Sequence, residues 1–514
     1  MKKYILILSL LISSFVFSQD GVLDLSFANN GIYNPTNLNF TGSLLDLSVD
    51  FSNSIFISGN VVNSDNTKSI MVIKLLPDGE IDTSFGNNGY SYIHFSPTAF
   101  VSKNIVLENG KIILVGWINS NTKDFLIIGL NADGSLDPDF GDNGRVIIDS
   151  SYGDDRAFAL VEHNNFLFIG GQLRNQDGKT DFSVVKMNYN GNLDPLFGIN
   201  GIAKRSVPER WGSIRDLLIT DSGDIVACGL LTGGSSSSNG FGDIAVVRFD
   251  QSGNIVSSFA NNGLFKFQTN GVGCSIKNYE NSFYITGHLY NSEIGRNSVE
   301  VLKIKNNGIL DTSFNGIGFI NFSGNGQYGS YYGGYSSILQ DNNKLIIGGE
   351  MGFETDGIVF KRINADGTMD PDFGTNGSIL FDFPGSGDNP NRSLSRQFND
   401  KFLSLGLSYL YADNVYHLYL TRHNIDQSLS INDEEINSQD YTVFPNPASG
   451  DLFIKGPINE FTDGNIYDMT GKLILEFSLN AQENKIDIQN ISAGIYFLQI
   501  NNDHQIIVNM IIID

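Results

Sequence analysis

Apolar residues in this chain fall in short runs, some alternating with polar positions and some continuous, separated by clusters of Asn, Asp and Gly. Residues 90–95, 99–107, 111–117 and 124–131 form four such runs, and the order returns as RVIID, AFALVEH, NFLFIGG and DFSVVKMNYNG. Runs of this kind bounded by turn-forming residues predict β-strands. Four strands make up one unit of the chain.

Each unit is marked by a twelve-residue pattern that recurs seven times. It reads DGVLDLSFANNG at 20–31, then DGEIDTSFGNNG, DGSLDPDFGDNG, NGNLDPLFGING, SGNIVSSFANNG, NGILDTSFNGIG and DGTMDPDFGTNG. Phe27, Phe85, Phe140, Phe197, Phe259, Phe314 and Phe373 follow one another at 58, 55, 57, 62, 55 and 59 residues. A period this long, built from strands, indicates a propeller or solenoid, because no single unit can bury its own apolar face. Seven units of four strands predict an all-β, seven-bladed β-propeller over 19–426.

The leading Asp-Gly, Asn-Gly or Ser-Gly of the motif supplies a tight turn, since Gly accepts positive φ and the residue before it bonds the local backbone. The Phe is expected to plug between neighbouring blades, and the closing Gly to turn the chain into the next innermost strand. Calcium binding is the alternative use of the acids. Against it, the leading Asp becomes Asn190, Ser252 or Asn307, and the second Asp, present at Asp24, Asp82, Asp137, Asp194, Asp311 and Asp370, becomes Val256 in the fifth copy. A turn tolerates these changes better than a divalent site tolerates losing carboxylates. Calcium apart, no cofactor or metal is expected.

The DGxLDxSFGxxG pattern resembles the delta-60 repeat of exported bacterial proteins, over about 20–426. The resemblance implies β-propeller blades, and it implies a fold far more than an activity.

The short turns LENGK, EHNNF, TDSGD, YENSF and QDNNK are expected on the same face as the motif. Variation in length is concentrated on the other face, at 207–212, 231–241, 324–336 and 384–392. Variable loops on a regular scaffold are where recognition is usually built. Tyr328, Tyr331, Tyr332, Tyr335 and Trp211 are the candidate ligand-binding residues there, because aromatic rings with polar tips suit sugar or peptide surfaces. Packing of the Gly-rich loop against its own blade is the competing role for the tyrosines. Asp154, Asp155, Glu209 and Asp388 are the acids of the same face; they are the first candidates for an enzymatic site and are expected as solvated loop charges.

Residues 1–18, with Lys2 and Lys3 ahead of an apolar run, read as a secretory signal peptide, with no transmembrane anchor. Residues 427–440 are acidic and without apolar periodicity, which marks a linker, and 441–514 form a separate β unit of a size that suits a small sandwich. That unit resembles the type A C-terminal sorting domain of type IX secretion. The likeness rests on Phe444-Pro445-Asn446-Pro447, then Tyr467-Asp468-Met469-Thr470-Gly471-Lys472, then Ser492-Ala493-Gly494-Ile495-Tyr496. It implies export in two steps, into the periplasm by the signal peptide and across the outer membrane by the sorting domain, followed by release or attachment to surface lipopolysaccharide. Pro445, Asn446, Pro447, Gly471, Lys472, Gly494 and Tyr496 are then sorting-motif residues. The last strand, in IIVNMIIID, lacks the lysines that the family commonly carries there.

A net charge of -24 disfavours nucleic acid and anionic membranes as partners. The two cysteines, Cys228 and Cys274, exclude a disulfide framework and are expected as small buried thiols, with one bridge between repeats as the alternative. There is no CxxC, HExxH, GxSxG or GxxxxGK[ST], and the six His have no metal-ligand spacing. The expectation is a monomeric, non-catalytic binding or adhesion scaffold, secreted or on the outer cell surface, whose partners are the type IX machinery and a glycan or surface polymer. The alternative is an extracellular enzyme acting on polysaccharide or peptide, with a site assembled from variable loops.

Overall fold

The computed structural model describes residues 20–35, 38, 40–63, 65–233, 242–291, 296–322, 330–352, 357–382, 386–387, 391–398, 401–410, 415–425, 442–455, 462–468, 472–479, 483–501 and 506–513. The expected signal peptide and linker, and with them Tyr328, Asp388 and Gly471, lie outside the described residues. The chain divides into two compact units after Gln427.

Strands are the only regular elements among the described residues. In the first unit they pair into seven four-stranded antiparallel groups. One group runs Ala99–Val106, Ile112–Asn119, Lys123–Leu130 and Arg145–Ile148, each paired with the next. The first strands of the groups pack side by side in a closed ring. In order they are Phe40–Val49, Ala99–Val106, Arg156–His163, Trp211–Ile219, the second half of Leu264–Tyr279, Ser330–Leu339 and Asn391–Gln397, and the last returns to the first. This is a β-propeller, and the ring strands are its innermost.

The pairing corrects one expectation. The short strand after each motif, such as Arg145–Ile148, is the outermost strand of the blade it follows, not the innermost of the next. The motif therefore joins the third and fourth strands of one blade, and the crossing to the next blade comes after it. The partition of the loops between faces is unchanged by this shift, since the short turns and the motifs still share one face. The first motif shows the consequence. Ile32–Tyr33 pairs with Val415–Asn424, so the N-terminal segment supplies the fourth strand of the last blade and closes the ring.

The propeller has no single core. Seven apolar clusters lie between consecutive blades, and each contains one motif phenylalanine, exposed by 1% or less. A Cβ on Gly79 would come within 2.5 Å of the Phe27 ring, so the motif glycine is small because its neighbour's phenylalanine packs against it. A backbone circle runs alongside these contacts. The N–H after each Phe donates to the carbonyl of the leading residue of the next motif: Ala28 to Asp78, Gly86 to Asp133, Gly141 to Asn190, Gly198 to Ser252, Ala260 to Asn307, Asn315 to Asp366 and Gly374 to Asp20, at 2.7 to 3.0 Å. The bond uses a main-chain carbonyl, which explains why Asp, Asn and Ser are all accepted at that position.

The second Asp of the motif has two fixed tasks. One oxygen accepts the N–H two residues on, as Asp82 does from Ser84 and Asp194 from Leu196. The other takes a cation from the third strand or from the short turn before the second: Lys74 with Asp82 at 2.8 Å, Lys111 with Asp137 at 2.6 Å, Lys186 with Asp194 at 2.8 Å and Arg422 with Asp24 at 2.8 Å. Burial alone would raise the Asp24 pKa, but the Ser26 hydroxyl and N–H, with Arg422, hold it down at about 2. In the fifth copy, where Val256 replaces the Asp, Arg248 pairs with Asp224 at 2.8 Å instead. The charge pair survives because its acid moves to the short turn before the second strand, Ile225–Thr232.

The second unit packs the three-stranded sheet of Thr442–Phe444, Asp451–Lys455 and Glu483–Asp487 against the four-stranded sheet of Leu473–Leu479, Thr462–Asp468, Gly494–Asn501 and Ile506–Ile513. Leu452, Ile454, Ile466, Leu498 and Ile511 meet in its core. The sorting-motif residues hold its end together. Asn446 Oδ1 accepts the Ile512 N–H at 2.8 Å, Ala448 N–H donates to Ile512 O at 2.8 Å, and Lys472 N–H donates to Asp468 Oδ1 at 3.1 Å. Tyr496 donates its hydroxyl to Ser492 O at 2.8 Å.

Candidate ligand-binding site

The innermost strands share a feature that the hydrophobic pattern does not reveal. Each carries a β-bulge at one register position. In successive blades the extra residue is Ser102, Phe158, Arg215, Cys274, Tyr335 and Arg392, and the first blade has an irregularity at 41–44. A glycine on the second strand makes room for it. Side chains added at Gly116, Gly171, Gly229 and Gly287 would run into the carbonyls of Phe100, Arg156, Ser213 and Val272. Bulges re-aim side chains and interrupt the ladder locally. Here the six bulges and the irregularity of the first blade stand in one layer around the ring, toward the variable-loop face.

Just below this layer the blades are tied together by polar side chains. Asp46 accepts the Asn104 N–H at 2.9 Å and the Lys103 ammonium at 2.9 Å, and Asp216 accepts the Ile276 N–H at 2.9 Å. The Ser336 hydroxyl accepts the Leu394 N–H at 3.1 Å. These bonds join the first blade to the second, the fourth to the fifth and the sixth to the seventh, and they occupy the two carboxylates.

The bulge layer itself is richer in aromatic rings and cations. Phe100 stacks on Trp117 at 5.5 Å, and Trp117 meets Phe158 at 5.9 Å. Lys68 Nζ lies 5.4 Å over Phe100, the Arg156 guanidinium 5.5 Å over Trp117, and the Arg215 guanidinium 4.0 Å over Phe158. The ladder thus crosses three blades, with Phe100, Trp117, Phe158, Arg156 and Arg215 all half-buried. Its first ring also borders an open groove of about 830 Å³, formed with the loop at 65–68 and the crossing at 94–98.

The sequence candidates are dispersed. Trp211 opens the innermost strand of the fourth blade and lies under Lys179 Nζ, 3.6 Å from its ring centre. Tyr331, Tyr332 and Tyr335 are on the innermost strand of the sixth blade, with the strand of the fifth blade between. The acids have structural tasks. Asp155, expected as a solvated loop charge, is fully buried, where it accepts the N–H and hydroxyl of Ser150 and the Arg174 N–H. Burial raises its pKa. Asp154 pairs with Lys123 at 2.6 Å and Arg156 at 3.3 Å. Glu209 is exposed, at a φ of 60°. Asp124, Asp149 and Asp155 come within 4.8 Å of one another, yet the Ser120 and Thr122 hydroxyls already bond Asp124.

Both cysteines are free. Cys274 Sγ lies 3.6 Å from His288 Nδ1, a contact with the outline of a nucleophile and base. Burial pushes the Cys274 thiol up to about 12 and the His288 imidazole down to about 4, so both groups are neutral near pH 7. A neutral thiol in such surroundings is an inert one.

Residues 442–514 match the secretion system C-terminal sorting domain, and residues 107–140 and 340–373 match a domain of unknown function (DUF5122) β-propeller. Each propeller match runs from the short turn through the second and third strands to the motif phenylalanine. Among solved structures, the chain is similar to a protein of unknown function from Dyadobacter fermentans, at 11% identity over 77% of this chain and 100% of that one, with a TM-score of 0.37. It is also similar to PorZ, an essential surface component of the type IX secretion system of Porphyromonas gingivalis, at 11% identity over 92% and 70%, with a TM-score of 0.32. A third likeness is to acylaminoacyl peptidase from Pyrococcus horikoshii, at 8% identity over 83% and 59%, with a TM-score of 0.40. No curated protein matches the chain.

Proposed function

We propose that this chain, a β-propeller taken through the periplasm to the outer surface or beyond by its type IX C-terminal sorting domain, is a non-catalytic binding scaffold that meets its ligand on the variable-loop face. The observation that supports this reading is the contrast between satisfied acids and open aromatic–cation pairs. Asp154 and Asp155 are committed to ion pairs and backbone bonds. A general acid or nucleophilic carboxylate must instead face substrate. The ladder from Phe100 to Arg215 presents surface that such a ligand can use, since half-buried aromatic rings bind sugar and peptide faces without chemistry. Glycan or surface polymer is the partner class, reached by the whole chain outside the cell.

A glycan and surface-polymer array probed with the exported chain, with and without calcium, tests the reading. Saturable binding to one class, weakened by Trp117→Ala, supports it. Turnover of a polysaccharide or peptide that Glu209→Ala abolishes would sink it in favour of an enzyme.

A further inference from the structure

Arg215 stands apart from the paired cations of the propeller. It occupies the bulge of Trp211–Ile219 and makes no hydrogen bond or ion pair among the described residues. Its recorded contact is the face of Phe158, 4.0 Å from the guanidinium carbon. Burial lowers its pKa, and the like charge of Arg156 adds to the effect. Arg156 is only partly matched, with Nη2 on Asp154 at 3.3 Å and a buried Nε that has no partner. Two neighbouring guanidiniums with open donors, partly withdrawn from water, cost stability unless an anion completes them. That they stand in a chain of net charge -24, where acids are plentiful, makes the missing carboxylate more telling.

We propose that Arg215 and Arg156, over Phe158 and Trp117, bind a carboxylate carried by an otherwise neutral ligand, of the kind an acidic sugar presents. This rests on the binding reading of the same face and gives that ligand its charge. A guanidinium holds its donors in the planar fork that a carboxylate accepts through both oxygens. The aromatic rings beside it suit the apolar face of a sugar ring. The acidic surface repels dense polyanions, so isolated carboxylates are admitted where nucleic acid or polyphosphate is excluded.

Calorimetric titration of the exported chain with D-glucuronate, D-glucose and inorganic phosphate, in wild type and Arg215→Gln, tests the assignment. The expected result is saturable binding of glucuronate, weaker binding of phosphate and none of glucose, with glucuronate affinity falling roughly tenfold to a hundredfold in the variant. The thermal midpoint of Arg215→Gln should equal or exceed that of wild type, because no partner in the fold loses a bond. Unchanged glucuronate affinity in the variant, or a preference for phosphate, overturns the proposal. If wild type ignores glucuronate but binds a neutral glycan on the array, the carboxylate assignment falls and the scaffold reading stands. If neither binds, both fall.

Discussion

The motif face and the bulge layer of this propeller use the same residue types to different ends. On the motif face, Lys74, Lys111, Lys186, Arg248 and Arg422 each have a carboxylate within 2.9 Å. When one copy loses its Asp, as at Val256, Asp224 takes its place. In the bulge layer Arg215 has no such partner, although the surrounding sequence is acidic. A charge whose counter-charge is retained when the motif loses its acid belongs to the architecture. A charge left without one, against aromatic rings and with solvent access, is available to a ligand. The difference between the two regions is thus a difference in what completes the electrostatics: the fold in one case, a bound molecule in the other.

Phe140→Ala should cost about 3 to 5 kcal/mol in urea unfolding, the range for emptying a well-packed aromatic site. A loss below about 1 kcal/mol would mean that the inter-blade clusters do not depend on the motif phenylalanine. Glu300 offers a buried acid with no cation. Asn321 bonds one oxygen at 2.7 Å and the other has no partner. Burial pushes its pKa up to about 8, above the ordinary 4.5. The unfolded chain therefore releases this proton first, and stability is lost as pH rises from about 4.5 to 8, by about 1.4 kcal/mol per pH unit. Glu300→Gln should remove that slope; an identical pH profile in the variant would show that the carboxyl is ionised in the fold. Next in size, Asp224→Asn should destabilise by about 1 to 3 kcal/mol, and adding Val256→Asp should recover at least half of it. Failure of the second change to rescue would show that the pair is tied to its local geometry and not to the shared position. The smallest effect is expected at Arg215, where Gln should shift unfolding by no more than about 0.5 kcal/mol.

Much of the fold is legible in the sequence because the motif repeats what every blade needs. Phe27 and its six counterparts, the glycine that opens each motif and the turn that presents the next carbonyl all recur at fixed spacing. The phase of the blade is not legible. The period orders the strands, but only the pairing of Ile148 with Phe125 reveals that the short strand after the motif stays with its own blade. The second Asp reads as turn chemistry, while its ion pair is hidden, since Lys111 comes from the short turn and Lys186 from the third strand. The bulge layer is hidden in the sequence for a similar reason. Ser102, Phe158, Arg215 and Cys274 have nothing in common as side chains, and a bulge leaves no mark on hydrophobic alternation. Its signal is indirect: a glycine within the second strand, at Gly116, Gly171, Gly229 and Gly287, where a strand interior has little reason for one. Tyr331, Tyr332 and Trp211 stand out in the sequence as aromatics of variable-loop segments, whereas Trp117 and Phe158 read as ordinary strand residues.

Paired cations hold this propeller together and Arg215 does not. Urea unfolding of Arg248→Gln and Arg215→Gln, side by side with wild type at neutral pH, tests this most directly. Arg248 bonds Asp224 at 2.8 Å and the Asn306 carbonyl of the next blade at 2.7 Å, so its loss should cost about 2 to 4 kcal/mol, while Arg215→Gln unfolds with wild type or slightly later. Equal destabilisation by the two substitutions would contradict the account, placing Arg215 among the structural charges.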